Sequence, residues 1–287
     1  MRKDIFTLIS ENYNIQDEIK KINKLLNKKD FEKEETEWGT DFTFIKTYSL
    51  KEIIDDFLFR KWEKKATCLT VDEFLEKANA KLENNNDEET ITNNLEAMEN
   101  LLFLYKLNYE TLEDNDIQEK EGFIDTFQNL LEIAEREMGL TKREFQDYVK
   151  LYPQNAPVEQ IVNMQEKEEV QWELVNYIRG VQTLEEKRKS LSYIATNLNI
   201  ERNKNEENSF IKHFMEEATN ILNNANIRHD NENEKSKNHA IQQLTEQEQI
   251  ELCDMVFNDM LIITLLRNQK NYKETYKKFK DKQKSTC

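Results

Sequence analysis

At 287 residues the chain can bury one large core or two ordinary ones without disulfide staples. Four Gly and two Pro are too few for a turn-rich sheet protein of this length, and a formal charge of −16 opposes general attraction to a nucleic-acid backbone. That charge is uneven: from Arg267 to Cys287 eight Lys or Arg face only Glu274 and Asp281, a tail of about +6 on a body of about −22.

Ile15, Ile19, Ile22, Leu25 and Leu26 recur at helical spacing and predict an early amphipathic helix. Residues 30 to 48 break that pattern, and the alternation of Phe42, Phe44, Lys46 and Tyr48 allows one short strand there. Ser49 with Glu52 three residues on forms a capping box, in which the Ser oxygen accepts a free amide and the Glu reaches back. A helix with Ile53, Ile54, Phe57, Leu58 and Trp62 follows it. Thr70 with Glu73, Thr141 with Glu144 and Thr245 with Glu248 repeat the same start signal.

Helices are also expected over about 89 to 110 and 116 to 138. The first carries Ile91, Leu95, Met98, Leu101, Leu102 and Tyr105, and the second Phe123, Phe127, Leu130, Leu131, Ala134 and Met138. Gly139 then stands where a left-handed cap is wanted. Both prolines, Pro153 and Pro157, fall within five residues, which should stop a helix and mark a domain boundary. Four helices are expected beyond it, over about 168 to 179, 184 to 200, 208 to 225 and 245 to 269. The last, with Ile250, Cys253, Met255, Val256, Met260, Leu261, Ile263 and Leu265, is apolar around much of its surface and reads as central or half-buried in a partner chain. Residues 229 to 238 lack any apolar side chain and read as a solvated loop.

The resulting expectation is an all-α chain. Residues 1–151 form a helical N-terminal domain with at most one short strand, 152–167 a Pro-containing linker, 168–271 a four-helix bundle, and 272–287 a basic amphipathic tail. Cys68, Cys253 and Cys287 are odd in number and far apart, which suits a reducing compartment and a cytoplasmic location. The first ten residues hold too short an apolar run for a signal peptide, and Cys287 stands in the wrong place for prenylation. No stretch approaches the roughly 18 apolar residues that span a bilayer, so no membrane association is expected.

The four glycines leave no phosphate-binding loop, dinucleotide fingerprint or nucleophile elbow. His213, His229 and His239 form no di-iron or zinc pattern. Asp114 to Asp116 and Asp230 to Glu234 lack the Gly of a calcium loop, and Ile241 replaces its bidentate Glu. No metal and no cofactor are expected.

One constellation stands out. Residues Asn223 to Asn231 place Asn226, Arg228, His229, Asp230 and Asn231 at the end of a helix. Metal-free RNA cleavage needs a base for the 2′-hydroxyl, an acid for the leaving oxygen and a cation over the phosphorane. Arg228 could fork onto phosphate while His229 or His239 moves the proton. The competing reading is structural, because Arg and His near a helix C-terminus also suit its unpaired carbonyls. The tail has two readings as well. Tyr272, Tyr276 and Phe279 share a helical face among Lys residues, either as a docked amphipathic helix or as a strip in which Lys273 and Lys277 meet phosphate.

The runs Leu184 to Leu191, Asn223 to Asn231 and Thr245 to Leu266 resemble the C-terminal helical region of bacterial abortive-infection-type proteins of the HEPN superfamily, over about residues 168–269. Asn226-Ile-Arg-His-Asp-Asn231 carries most of the likeness. The resemblance implies a four-helix bundle that dimerises and a metal-independent ribonuclease of phage defence or toxin–antitoxin type. Its active members use an Arg, a polar neighbour and a following His. Arg228 and polar His229 match, whereas ten residues separate Arg228 from His239, wider than the family motif. Some members bind without cleaving. By the resemblance, Arg228, His229 and His239 are the catalytic candidates, and Asn226 and Asn231 orient them on RNA. The alternative is an inactive interaction module, sensor, scaffold or antitoxin-like, whose acidic body takes a protein partner.

Overall fold

The computed structural model describes residues 13–39, 41–59, 62, 68–80, 87–113, 116–180, 182–200, 209–224, 227 and 244–285, with backbone alone at 111, 113, 209, 210, 224 and 270–285. The chain divides into two compact units, 1–154 and 155–287.

The all-α expectation is overturned. Helix accounts for 66% of the chain, but two antiparallel sheets, of three and two strands, make it a mixed α/β protein. All five of these strands lie in the first unit. The alternation at Phe44, Lys46 and Tyr48 foretold one of them; the strands at Lys29–Thr36 and Leu140–Glu144 escaped the hydrophobic pattern because they carry little of it. Strand β1 (Lys29–Thr36) reads Lys-Asp-Phe-Glu-Lys-Glu-Glu-Thr, and its inward anchor is Phe31, fully buried. The Phe31 ring packs 5.7 Å from Tyr105 and 5.4 Å, edge-on, from Phe123. One aromatic with such geometry can fix the register of an otherwise charged strand.

In that unit, helix α1 (Ile15–Leu26) is capped by the Asn14 side chain and buries Ile19, Ile22 and Leu26. Strand β1 sits centrally in the order β2-β1-β3, between β2 (Thr43–Ser49) and the short β3 (Ile117–Glu119). The Ser49–Glu52 capping box is formed and opens α2 (Leu50–Ile53), which continues as one π-helical turn over Ile54–Leu58. Thr70 caps α3 (Val71–Lys77). Helix α4 (Glu88–Leu107) is the buried spine of the unit, with Leu95, Met98, Leu101, Leu102 and Leu104 inside. After α5 (Tyr109–Glu113) and β3, helix α6 (Phe123–Glu137) packs on α1 and α4. Gly139 takes the left-handed conformation, φ 62°. The Thr141–Glu144 start signal misleads: those residues belong to β4 (Leu140–Glu144), which pairs with β5 (Val149–Pro153). Thr and charged residues at alternating positions serve a half-exposed hairpin as well as a helix start.

In the second unit the described elements are all helical. The region expected as a linker contains the end of β5 and a helix, α7 (Ala156–Val162). Pro157 lies in its first turn, where a missing amide proton breaks no bond, so this proline begins a helix. Then come α8 (Glu168–Arg179), α9 (Leu184–Asn197), α10 (Ser209–Asn224) and α11 (Glu246–Ser285). Gly180 ends α8 with φ 81°, and Thr183 and Glu186 form a capping box on α9. Helix α11 packs on α7, α9 and α10 through Cys253, Val256, Phe257, Met260 and Ile263, spaced at three and four residues. It runs for 40 residues without interruption, joining the expected helix 245–269 to the tail. No Gly or Pro intervenes, and Lys, Glu, Gln and Leu all favour continuation.

Candidate functional site

The residues expected to carry chemistry separate into two groups. Asn226, Arg228, His229, Asn231 and His239 lie outside the described residues, as does the calcium-like stretch 230–241. Lys273 and Lys277 lie on the backbone of α11, and their side chains are outside the description. Ile227, immediately before Arg228, is buried. His213 is exposed on α10 with Glu217 one turn away at 3.4 Å. Among the described residues no group of His, Cys, Asp and Glu could hold a metal ion.

The best-defined polar constellation of the second unit ties α8, α9 and α11 together. Lys187, buried on α9, places Nζ 2.6 Å from Asp254 Oδ1 and 4.8 Å from the centre of the Tyr177 ring. The Tyr177 hydroxyl donates to the same Asp254 oxygen at 2.9 Å, and the Tyr177 ring stacks on Phe257 at 4.2 Å. Burial and the neighbouring Asp254 carboxylate push the Tyr177 hydroxyl far up, so it stays a donor. Arg188 donates to Gln249 at 2.5 Å. Cys253 is buried beside them, and desolvation raises its thiol to about 11, which keeps it un-ionised and unreactive. A cation held by a carboxylate and a ring, with the ring's hydroxyl on the same carboxylate, is a clamp between helices; its charge is already engaged.

The first unit contains a second constellation, in a less expected place. Glu99 of α4 and Glu135 of α6 are 3% and 6% exposed. Lys142 of β4 reaches Glu99 Oε2 at 3.1 Å. Burial, and then the Glu99 carboxylate, drive Glu135 well above the usual carboxylate range, so Glu135 keeps its proton. Beside it, Asn100 clasps the hairpin. Its amide nitrogen donates to the Val149 carbonyl at 2.8 Å, and its oxygen accepts the Val149 amide at 2.8 Å. Glu96 accepts the Leu151 amide at 2.8 Å and lies 3.6 Å from Lys150 Nζ. One helix face therefore replaces a missing strand for β5 and pairs with Lys142 and Lys150 of the hairpin.

A protonated carboxyl beside a second carboxyl is the chemistry of a general acid paired with a base. Here both are closed to solvent, so Glu135 holds its proton inside a core and Glu99 orients Lys142. Sequence reasoning missed it, yet a signal existed. Leu95, Glu99 and Leu102 follow one another at four and three residues, as do Leu131, Glu135 and Met138. A Glu inside an apolar stripe on each of two helices marks a buried carboxyl pair.

No protein-family model matches this chain, and comparison with curated proteins and with solved structures found no match. No helix among the described residues is long and apolar enough to cross a membrane.

Proposed function

We propose that this chain is a HEPN-like protein of host-defence or toxin type that recognises RNA through its C-terminal unit, with Arg228, His229 and His239 as the groups for metal-free cleavage. The observation that carries the reading is the length of α11. At about 1.5 Å per residue, its 40 residues span about 60 Å, against about 24 Å for the 16 residues of α10. Helix α11 therefore outruns the helices it packs on, and its distal half is the basic stretch of the sequence, Lys273 and Lys277 included. A cationic helical rod on an otherwise acidic chain directs a polyanion to one place, because the acidic remainder repels it elsewhere. The buried half of α11 anchors the rod. Met255 and Ile262, seven residues apart and exposed on α11, suit a second copy, in line with a homodimer.

The test is cleavage and growth. Purified chain in EDTA nicks tRNA or mRNA, and expression arrests growth; Arg228→Ala abolishes both, while Lys273→Glu with Lys277→Glu weakens RNA binding. Undiminished nicking and toxicity in Arg228→Ala remove the assigned site. Absence of RNA binding by the full chain removes the reading.

A second reading, a catalytically inactive module for a protein partner, draws support from the body charge of about −22. It requires a stable protein complex and no RNA turnover with or without divalent metal. The cytoplasm is the proposed location for either reading.

A further inference from the structure

The β1–β2 hairpin projects beyond its own core. Strand β3 pairs with β1 only from Phe31 to Lys33, whereas β2 pairs with β1 out to Thr36. The outer half, Glu34–Thr36 with Thr43–Ile45, is a two-stranded ribbon, and Trp38 at its turn is 99% exposed. Phe44 and Ile45, neighbours on β2, stand on opposite faces and are both exposed. Isolated two-stranded ribbons are marginal in water, and apolar side chains on both faces make this one worse.

The backbone of β2 has a definite polarity. The Glu37 amide donates to the Phe42 carbonyl at 2.9 Å, so Glu37 and Phe42 are a bonded pair. Alternation through the register then bonds Phe44 to Glu35 and Lys46 to Lys33, and turns the amides and carbonyls of Thr43, Ile45 and Thr47 outward. Among the described residues β2 has β1 as its one strand neighbour, so it is a sheet edge. Edge strands usually carry a charge or a Pro that deters pairing. The one charge on β2, Lys46, is folded back, 4.7 Å from the Tyr48 ring centre and 3.7 Å from Glu35. Among the described residues no strand covers this edge.

The charge around it selects what pairs. From Glu32 to Asp41 there are five acids and one base, Lys33, and Lys33 is directed over the Phe57 ring. We propose that β2 docks an extended segment of a partner protein, alternating apolar and basic side chains, as an added antiparallel or parallel strand. The partner's backbone pairs with Thr43, Ile45 and Thr47, its apolar side chains cover Phe44 on one face, and its cations on the other meet Glu34 and, toward the turn, Asp41. Nucleic acid and anionic lipid are disfavoured by the same acids.

The experiment uses the full chain and two synthetic nine-residue peptides of equal charge, one alternating Lys and Val and one alternating Lys and Pro. Amide hydrogen exchange is read residue by residue. The Lys–Val peptide slows exchange at Thr43, Ile45 and Thr47, and the Lys–Pro peptide, which cannot extend a sheet, does not. Ile45→Pro removes one outward amide while leaving the bonds to β1, and weakens the Lys–Val peptide at least tenfold. Should that variant fail to fold, Glu34→Lys with Asp41→Lys weakens it severalfold and lowers its salt dependence. Equal binding of both peptides, or protection spread over the acidic surface, overturns the proposal. So does a chain that already sediments as a dimer with these three amides protected, since the occupant would then be a second copy.

Discussion

In the first unit two carboxyls, Glu99 and Glu135, share a closed interior with one ammonium, Lys142, and a sheet of charged strands is draped over the helices that hold them. In the second, one buried ammonium, Lys187, meets one carboxylate, Asp254, at a helix seam that remains open, Asp254 being 45% exposed. The first arrangement has an excess of acid and resolves it with a proton. The second is balanced charge for charge and sits near water. Buried charge is therefore a stabiliser in neither unit by itself: it sets which elements face each other, and its energetic weight depends on what remains when one partner is removed.

Removing a partner should separate the units most. Lys142→Met strips the cation from two enclosed carboxyls and is expected to cost about 3 kcal/mol in denaturant unfolding at neutral pH. Asp254→Asn in the second unit keeps an acceptor for the Tyr177 hydroxyl and leaves Lys187 over the ring, and should cost about 1–2 kcal/mol. Equal losses would erase the distinction between closed and open charge.

The proton on Glu135 gives a second separation. Glu135 binds its proton more tightly folded than unfolded, because burial and Glu99 raise it above the ordinary value of 4.5. Its contribution is complete below that value and is lost as pH rises toward the raised one, since the native state then holds the extra proton. Glu135→Gln keeps a neutral donor at any pH. The variant should gain stability relative to the parent between about pH 5 and about pH 9, read from thermal midpoints. A parallel pH profile for variant and parent would mean that burial does not hold a proton on Glu135.

The smallest expected effects are at the caps, where the units should agree. Ser49→Ala and Thr183→Ala each remove a completed capping box and should cost about 1 kcal/mol. A neutral Thr183→Ala would show that α9 is held by packing alone.

How far these features could be read from the chain differs in the same way. Helices α8, α9 and α10 begin within about a residue of where apolar spacing places them, because each turns one stripe to a helical neighbour. The strands were legible only at β2, where Phe44, Lys46 and Tyr48 alternate. Strands β1 and β4 are written in Glu, Lys, Arg and Thr, and their place is set by Phe31 and by side chains of α4, contacts between residues distant in sequence. Thr141 to Glu144 shows the cost of local reading: a start signal with the right spacing formed a strand because Asn100 and Glu96 hold its partner β5. The Lys187 clamp is half legible, since Lys187 lies in the Leu184–Leu191 run that carries the resemblance, but Tyr177 and Asp254 lie on other helices.

The central proposal is that the basic C-terminal half of α11 is the RNA-binding element. Affinity of the full chain for a tRNA, measured in EDTA across a salt series by fluorescence anisotropy, reports the number of phosphates engaged through its slope. The account predicts a steep slope that Lys273→Glu with Lys277→Glu flattens by about two phosphates, with affinity falling at least tenfold at low salt. A slope and affinity unchanged by that pair of substitutions would contradict it.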